Sequence, residues 1–421
     1  MATTAVTPDA PEPVLTAPAR IDSVDLYRGL IMAFMALDHT RDFFTHLRFT
    51  PEDLSQTWGA LFFTRWITHL CAPAFFFLAG TGMYLSRKQG AELSRFLWTR
   101  GLWLMALEPT VMAIGWTFGG WNPVFALFTF LVISALGACM IVMAGIVRLP
   151  MWAIASFGLG LIALHNLFDF LKPAALGGKG WILTLLHNPG FYAFDPQNPQ
   201  AGGFFVLYSL IPWVGVMAAG YALGPILRKP TEERRKLLWT MGVAALVLFA
   251  VLRVTNVYGN PPGPGFAAST GTFEVQPTLE KTVIAFFNTE KYPPSLQFLL
   301  MTLGPCLLAL AWFDRFDFKS LLGRTVGKWL LVFGRVPMFY YICHLYVIHA
   351  LAIVVAPFFG QPYMWLVKGG FFTQPPPPGY GHNLPFIYLM WLTALVILYF
   401  PCRWYMGVRQ RRQDLWIVRY I

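Results

Sequence analysis

The chain has 421 residues, of which 56% are apolar and only 12% charged, with a net charge of +11; soluble proteins carry about 25% charged residues. These figures exclude a soluble enzyme and a disordered chain. Five thinly spread Cys, four of them (Cys71, Cys139, Cys306, Cys343) within apolar runs, exclude a disulfide scaffold. A polytopic membrane protein remains, and its basic excess is explained by Lys and Arg gathering on cytoplasmic loops, with no nucleic-acid partner needed.

Residues 1–19 are Ala/Pro/Thr-rich without Lys or Arg, which predicts a disordered cytoplasmic tail rather than a signal peptide. A membrane domain follows over 20–408. Its apolar stretches long enough to cross about 30 Å of hydrocarbon fall at 26–45, 59–85, 96–117, 123–147, 150–171, 204–226, 237–256, 295–313, 335–357 and 385–404. The expected fold is therefore an all-α bundle of about ten transmembrane helices, with 325–336 either an interfacial helix or the start of the ninth span. A basic tail, 409–421, ends the chain. Basic residues follow every even-numbered span, so the positive-inside rule places both termini in the cytoplasm. The alternate loops 172–203, 257–294 and 358–384 are long and rich in Pro, Gly and aromatics, as connectors are, or lids over an external substrate.

A charged side chain at mid-membrane costs about 2.5–3.5 kcal/mol on insertion scales, so each one inside a span is a functional candidate. Asp38, His39, Arg41 and Asp42 in span one, Arg65 and His69 in span two, His165 and Asp169 at the end of span five, Arg253 in span seven, and His344 and His349 in span nine fall at one level, toward the non-cytoplasmic face. A second layer near the cytoplasmic face holds Asp25, Arg28, Arg95, Arg100 and Arg335. Asp38, Arg41 and Asp42 share a helix face, whereas His39 is turned about 100° from Asp38. Arg65 and His69 are one turn apart, as are Tyr340 and His344. His344 and His349 point about 140° apart, which argues against a zinc pair at i, i+4; no metal is expected. His165 and Asp169 read as a carboxylate-oriented histidine or an interface cap, Glu108 as a pairing or functional carboxylate, and Gly80 and Gly82 as sites where a helix or a thin ligand approaches closely.

The segments RIDSVDLYRGLIMAFMALDHTRDFF and RWITHLCAPAFFFLAGTGMYLSR resemble bacterial membrane proteins with the catalytic domain of heparan-alpha-glucosaminide N-acetyltransferase. GRVPMFYYICHLYVIHALA is similar to that group's later signature. The spacing from Arg28 to His39 is also similar to the bacterial acyltransferase-3 family, whose functional pair is an Arg and a His eleven residues on. The resemblance implies an inner-membrane acyltransferase that takes acetyl-CoA, or another acyl-CoA, from the cytoplasm. It would acylate a hydroxyl or amine of a carbohydrate-like acceptor on the other side. In that reading His39 is the general base, oriented by Asp38, and His69 and His344 line the reaction chamber. Arg65 stabilises the oxyanion or the acceptor, with Asp42, His349 and Tyr340 on the substrate side, while Arg28, Arg95, Arg100 and Arg335 bind the CoA phosphates. The eukaryotic enzyme places its catalytic His in the loop before the second span, where His46 stands here, so His39, His46 and His69 all remain candidates for the base. A proton-coupled transporter or flippase is the rival reading, and the oligomeric state is left open, a dimer included.

Overall fold

The computed structural model describes residues 21–86, 88–120, 128–195, 197–198, 202–261, 271–368, 375–412 and 414–420. The tail expected to be disordered at 1–19 lies outside the described residues, as does part of each long loop. The main helices are α1 (Asp22–Phe44), α2 (Gly59–Thr68), α3 (Cys71–Leu85), α4 (Gly90–Leu107), α5 (Val132–Ile146), α6 (Met151–Leu164) and α7 (Leu210–Ala222). They continue with α8 (Thr231–Thr255), α9 (Leu279–Phe287), α10 (Leu296–Phe313), α11 (Lys328–Arg335), α12 (Pro337–Val355) and α13 (Leu384–Arg411).

Among the described residues, seven helical stretches are long and apolar enough to cross a membrane: Gly59–Leu85, Met151–Phe168, Leu210–Leu227, Thr231–Thr255, Leu296–Phe313, Pro337–Phe359 and Leu384–Arg411. The protein is a multi-pass membrane protein. Helices also form at the three other expected spans, and each has a physical reason for falling short of that standard. α1 carries Asp22, Asp25, Arg28, Asp38, Arg41 and Asp42. The helix from Gly90 is interrupted by a π turn at Glu108–Met112, where Pro109 lacks the N–H that would continue the ladder. α5 has only 15 residues.

Local chemistry sets several boundaries. Ser295 and Asn383 accept hydrogen bonds from the N–H groups of Phe298 and Phe386, capping α10 and α13. Glu108 accepts from the N–H groups of Ile133 and Ser134 at 2.9 and 3.1 Å, satisfying the orphan donors at the start of α5. Glu108, expected to pair with a charge or to act in the site, caps α5 here.

α1 is the hub of the bundle, packed against α2, α3 and α10–α13. α3 packs on α7, where the carbonyl of Met217 lies 1.9 Å from the position a Cβ on Gly80 would take. A Gly80→Ala variant is therefore expected to lose about 1–3 kcal/mol of stability through overpacking, read from thermal unfolding in detergent. The outer surfaces of α8 and α13 present Trp239, Val247, Val251, Leu392, Val396 and Phe400, as helices facing lipid do.

The all-α expectation meets one exception. Thr129–Phe130 (β1), Gly190–Ala193 (β2) and Gly203–Val206 (β3) form a small sheet of order β1-β3-β2, with β3 parallel to β1 and antiparallel to β2. Its aromatic strands GFYA and GFFV suit a pleated ladder; GFYA lies in the loop 172–203, whereas GFFV and Thr129–Phe130 take residues expected in the spans at 204–226 and 123–147. The last long loop closes over the end of α1. Tyr380 Oη donates to the Phe43 carbonyl at 2.5 Å and His382 N–H to the Phe44 carbonyl at 2.7 Å. Between them Gly381 takes φ +97°, with Thr45 O 2.4 Å from where a Cβ would sit, so only glycine fits there.

Candidate active site

The last turns of α1 carry a network of opposite charges. Arg65 of α2 donates from Nη1 to both Asp38 oxygens at 2.8 and 2.7 Å, and from Nε to Glu52 Oε1 at 2.7 Å. Thr68 Oγ1 adds a bond to Asp38 at 2.9 Å. Arg41 Nη2 sits 2.9 Å from Asp38 Oδ1 and 2.6 Å from Asp42 Oδ1, as the shared helix face requires. His69 Nε2 lies 3.3 Å from the same Glu52 oxygen, and its ring is 1% exposed. Glu52 lies in the loop between α1 and α2, and Asn288 Nδ2 donates to its carbonyl at 2.9 Å.

Burial alone would raise the Glu52 carboxyl, but the Arg65 guanidinium and then His69 outweigh it and hold the group well below its ordinary value of 4.5. With the folded value depressed, the stabilisation is complete above that ordinary value and disappears as the pH falls through the folded one. The gap in thermal stability between wild type and Glu52→Gln is expected to be constant above about pH 5 and to shrink below it. A gap unchanged down to pH 3 would contradict the pairing.

His39 is set apart from Asp38. Its Nδ1 faces Asp42 Oδ2 at 3.4 Å, one helical turn on, and its ring meets Trp116 edge-on at 4.8 Å and His344 at 5.2 Å. The expectation that Asp38 orients His39 is therefore corrected: Asp38 is engaged by Arg65, Arg41 and Thr68, and the carboxylate in reach is Asp42. His344 is 1% exposed, and its Nδ1 donates to the Tyr341 carbonyl at 2.5 Å. That bond fixes Nε2 as the nitrogen with the lone pair, and among the described residues it has no hydrogen-bond partner.

Cavities open on either side of this layer. Toward the Asp22 end of α1 lies a basic cleft of about 320 Å³, its mouth carrying Arg28, Arg100, Arg335 and Arg409. It runs between apolar walls from α3, α4 and α5 to Ile133, Met338 and Tyr341. A vestibule of about 1000 Å³ shares Arg28, Gly82, Ser86 and Arg409 with it. Asp25 lies 3.2 Å from Arg28 and 3.7 Å from Arg335, so two acidic groups, Asp22 and Asp25, face four guanidinium groups. At the other end, a cavity of about 420 Å³ is lined by Arg41, Asp42, Glu52, Arg65, Tyr292 and Trp365 among others. Arg28 and His39 are eleven residues apart on α1, which is about 16 Å along the helix.

Other candidates are placed elsewhere. Arg95 is exposed on the face of α4 that holds Glu92 and Trp98, about 140° around the helix from Arg100, so it does not line the cleft. Arg409, assigned from sequence to the tail, does line it, and its Nη1 donates to the Arg335 carbonyl. Tyr340 and His349 line neither cavity, and neither do His39, His69 and His344. Tyr340 stacks near His344 and Phe333, while His349 lies between Phe43 and Phe118 at 4.5 and 4.0 Å, its Nδ1 2.9 Å from the Gly115 carbonyl. His46 is exposed, with Nδ1 2.7 Å from the His382 carbonyl. His165 contacts the Pro294 carbonyl, while Asp169 is bonded to His187 at 2.8 Å. The 3₁₀ turn at His165–Phe168 removes the i, i+4 alignment expected of that pair.

The catalytic-domain model of heparan-alpha-glucosaminide N-acetyltransferase matches residues 20–256, over half of the chain. The chain belongs to that family. No curated protein matches it. With seven apolar helices, membership makes the chain a multi-pass membrane transferase. The family match covers α1 to α8 and with them Arg28, Asp38, His39, Asp42, Arg65 and His69; Arg335, His344 and Arg409 come from the part beyond it.

Proposed function

We propose that the protein is a membrane acyltransferase that moves an acetyl or other acyl group from acyl-CoA to a carbohydrate-like acceptor held on the opposite side of the membrane. In this reading the chain crosses the bacterial inner membrane ten times, with both termini and the basic cleft on the cytoplasmic side. The observation that carries it is the order along α1: a cleft with four arginines, then His39 beside His344, then a cavity lined by Arg41, Asp42, Glu52 and Arg65, the two histidines lining neither. Arg28, Arg100, Arg335 and Arg409 at the mouth suit the CoA phosphates. The pantetheine arm, comparable in reach to about five extended residues or roughly 16 Å, matches the rise from Arg28 to His39. It would bring the thioester to the level of Tyr341 and His344.

Asp42 holds His39 with Nδ1 protonated, which leaves the Nε2 lone pair as base. His39 takes the proton of the acceptor group as that group attacks the thioester carbonyl, and returns it to the departing sulfur. Family membership favours this over transport.

The decisive test gives the purified protein acyl-labelled CoA and a membrane glycan extract. Release of free CoA with labelled product, lost in His39→Ala, is expected; no consumption of thioester above that variant would sink the proposal. Entry of the donor is tested at Gly82, which lines the cleft and has no atom within 4 Å of its would-be Cβ. Gly82→Leu is expected to raise the donor KM by about tenfold, equivalent to about 1.4 kcal/mol of lost binding, without loss of folding. An unchanged donor KM would move the entrance elsewhere.

A further inference from the structure

We infer that the nucleotide end of the donor is read in a side pocket of its own, where Lys88 and Arg228 hold the 3′-phosphate of CoA and the adenine lies against Tyr84 and Tyr221. The inference rests on the acyl-CoA reading and adds a subsite to it. The pocket, about 310 Å³, lies where the turn between α3 and α4 meets the junction of α7 and α8, and Tyr84, Lys88, Gly90, Tyr221 and Arg228 line it. It shares Met83 and Leu93 with the basic cleft and Arg228 with the vestibule. The three therefore adjoin around the end of α3. The Tyr84 ring is seated on Gly224, where a Cβ would lie 2.0 Å from a ring carbon, and it meets the Tyr221 ring at 5.5 Å in a T-shaped contact. Two rings packed in advance give a planar base a surface that costs little further ordering.

The wall of this pocket carries two cations and no carboxylate. The Arg228 guanidinium lies 4.6 Å from the centre of the Tyr84 ring and Nη2 donates to the Tyr84 carbonyl at 3.3 Å, but among the described residues it forms no ion pair. Lys88 pairs with Glu92, whose side chain is 65% exposed and lies outside the pocket. α4 begins on the wall at Gly90, and no side chain caps it. The N–H end of an 18-residue helix thus adds to the positive potential. CoA carries two kinds of phosphate. Its pyrophosphate adjoins the pantetheine arm, so it stays at the mouth of the cleft that admits the arm, among Arg28, Arg100, Arg335 and Arg409. The 3′-phosphate monoester projects from the ribose beyond it and needs cations of its own. A lone anionic headgroup would use Lys88 and Arg228 and leave the rings idle; an adenosine 3′-phosphate uses both.

The test is calorimetric binding of CoA and of dephospho-CoA, which lacks only the 3′-phosphate, to the purified full chain in detergent; neither ligand needs an acceptor. CoA is expected to bind at least about tenfold more tightly, as charge-assisted hydrogen bonds to one phosphate allow. Arg228→Gln is expected to remove most of that advantage by weakening CoA alone, and Lys88→Gln part of it. Arg228 is exposed and Lys88 half-buried, so the thermal transition of both variants should match that of the wild type. Arg28→Gln, at the mouth of the cleft, is expected to weaken both ligands to the same degree. Equal binding of the two ligands by the wild type, or an advantage that survives the combined Lys88→Gln and Arg228→Gln variant, overturns the subsite and leaves the acyl-CoA reading standing. An advantage abolished by Arg28→Gln instead would overturn it too, by placing the 3′-phosphate in the cleft. Binding of neither ligand sinks the acyl-CoA reading and the subsite with it.

Discussion

His39→Ala is expected to lower the acyl-transfer rate by about 100- to 10,000-fold, the range that a positioned general base supplies, while leaving the fold intact. The separation of the two effects follows from the contacts. Asp42 keeps its 2.6 Å bond to Arg41 when the imidazole is removed, so no buried charge is stranded. Asp42→Asn is expected to cost less in rate than His39→Ala, because the imidazole survives and loses only the carboxylate that orients its ring. His46→Ala, on an exposed residue bonded to the His382 carbonyl, is expected to leave the rate unchanged. The rate in purified protein, with the thermal transition measured alongside, checks all three. A full rate in His39→Ala together with a lost one in His69→Ala would transfer the role to the histidine beneath Glu52.

Much of this site was legible because it lies on one helix. The spacing of Asp38, Arg41 and Asp42 predicts the shared carboxylate contacts of Arg41, and the turn of Arg65 and His69 places both against one oxygen of Glu52. The partner of His39 was within reach of the same rule. A residue turned about 100° from Asp38 cannot face it, and Asp42 lies at i+3 from His39, one turn away. What the sequence conceals is contact between distant segments. Glu52 sits in a polar loop 13 residues before Arg65, with no periodic pattern to mark it. Arg409 reaches a cleft whose other arginines are as far away as position 28, and charge alone assigns it to a tail. The packing of α11–α13 against α1 brings Arg335 and Arg409 to the cleft of Arg28, and the fold of the loop after α1 brings Glu52 to Arg65; hydropathy registers only that such helices exist.

The largest stability effect is expected at Arg65. Its side chain is 12% exposed, and those of Asp38 and Glu52 are 15% and 8%, so Arg65→Met leaves two carboxylates facing each other in a site largely shielded from water. Removing one partner of a buried ion cluster costs about 3–5 kcal/mol. The exposed pair of Arg315 and Glu232, 2.9 Å apart with side chains 61% and 72% accessible, is the comparison, since surface pairs contribute about 0–1 kcal/mol. Thermal unfolding in detergent should therefore separate Arg65→Met from Arg315→Met by a wide margin. The double variant Asp38→Asn with Arg65→Met decides whether the loss comes from a stranded charge. If it does, Asp38→Asn recovers part of the damage, because a neutral amide no longer needs the guanidinium, and the two substitutions together cost less than their sum. Strictly additive losses would mean that Arg65 stabilises the helix ends by packing alone, and that the bidentate contact with Asp38 contributes nothing of its own.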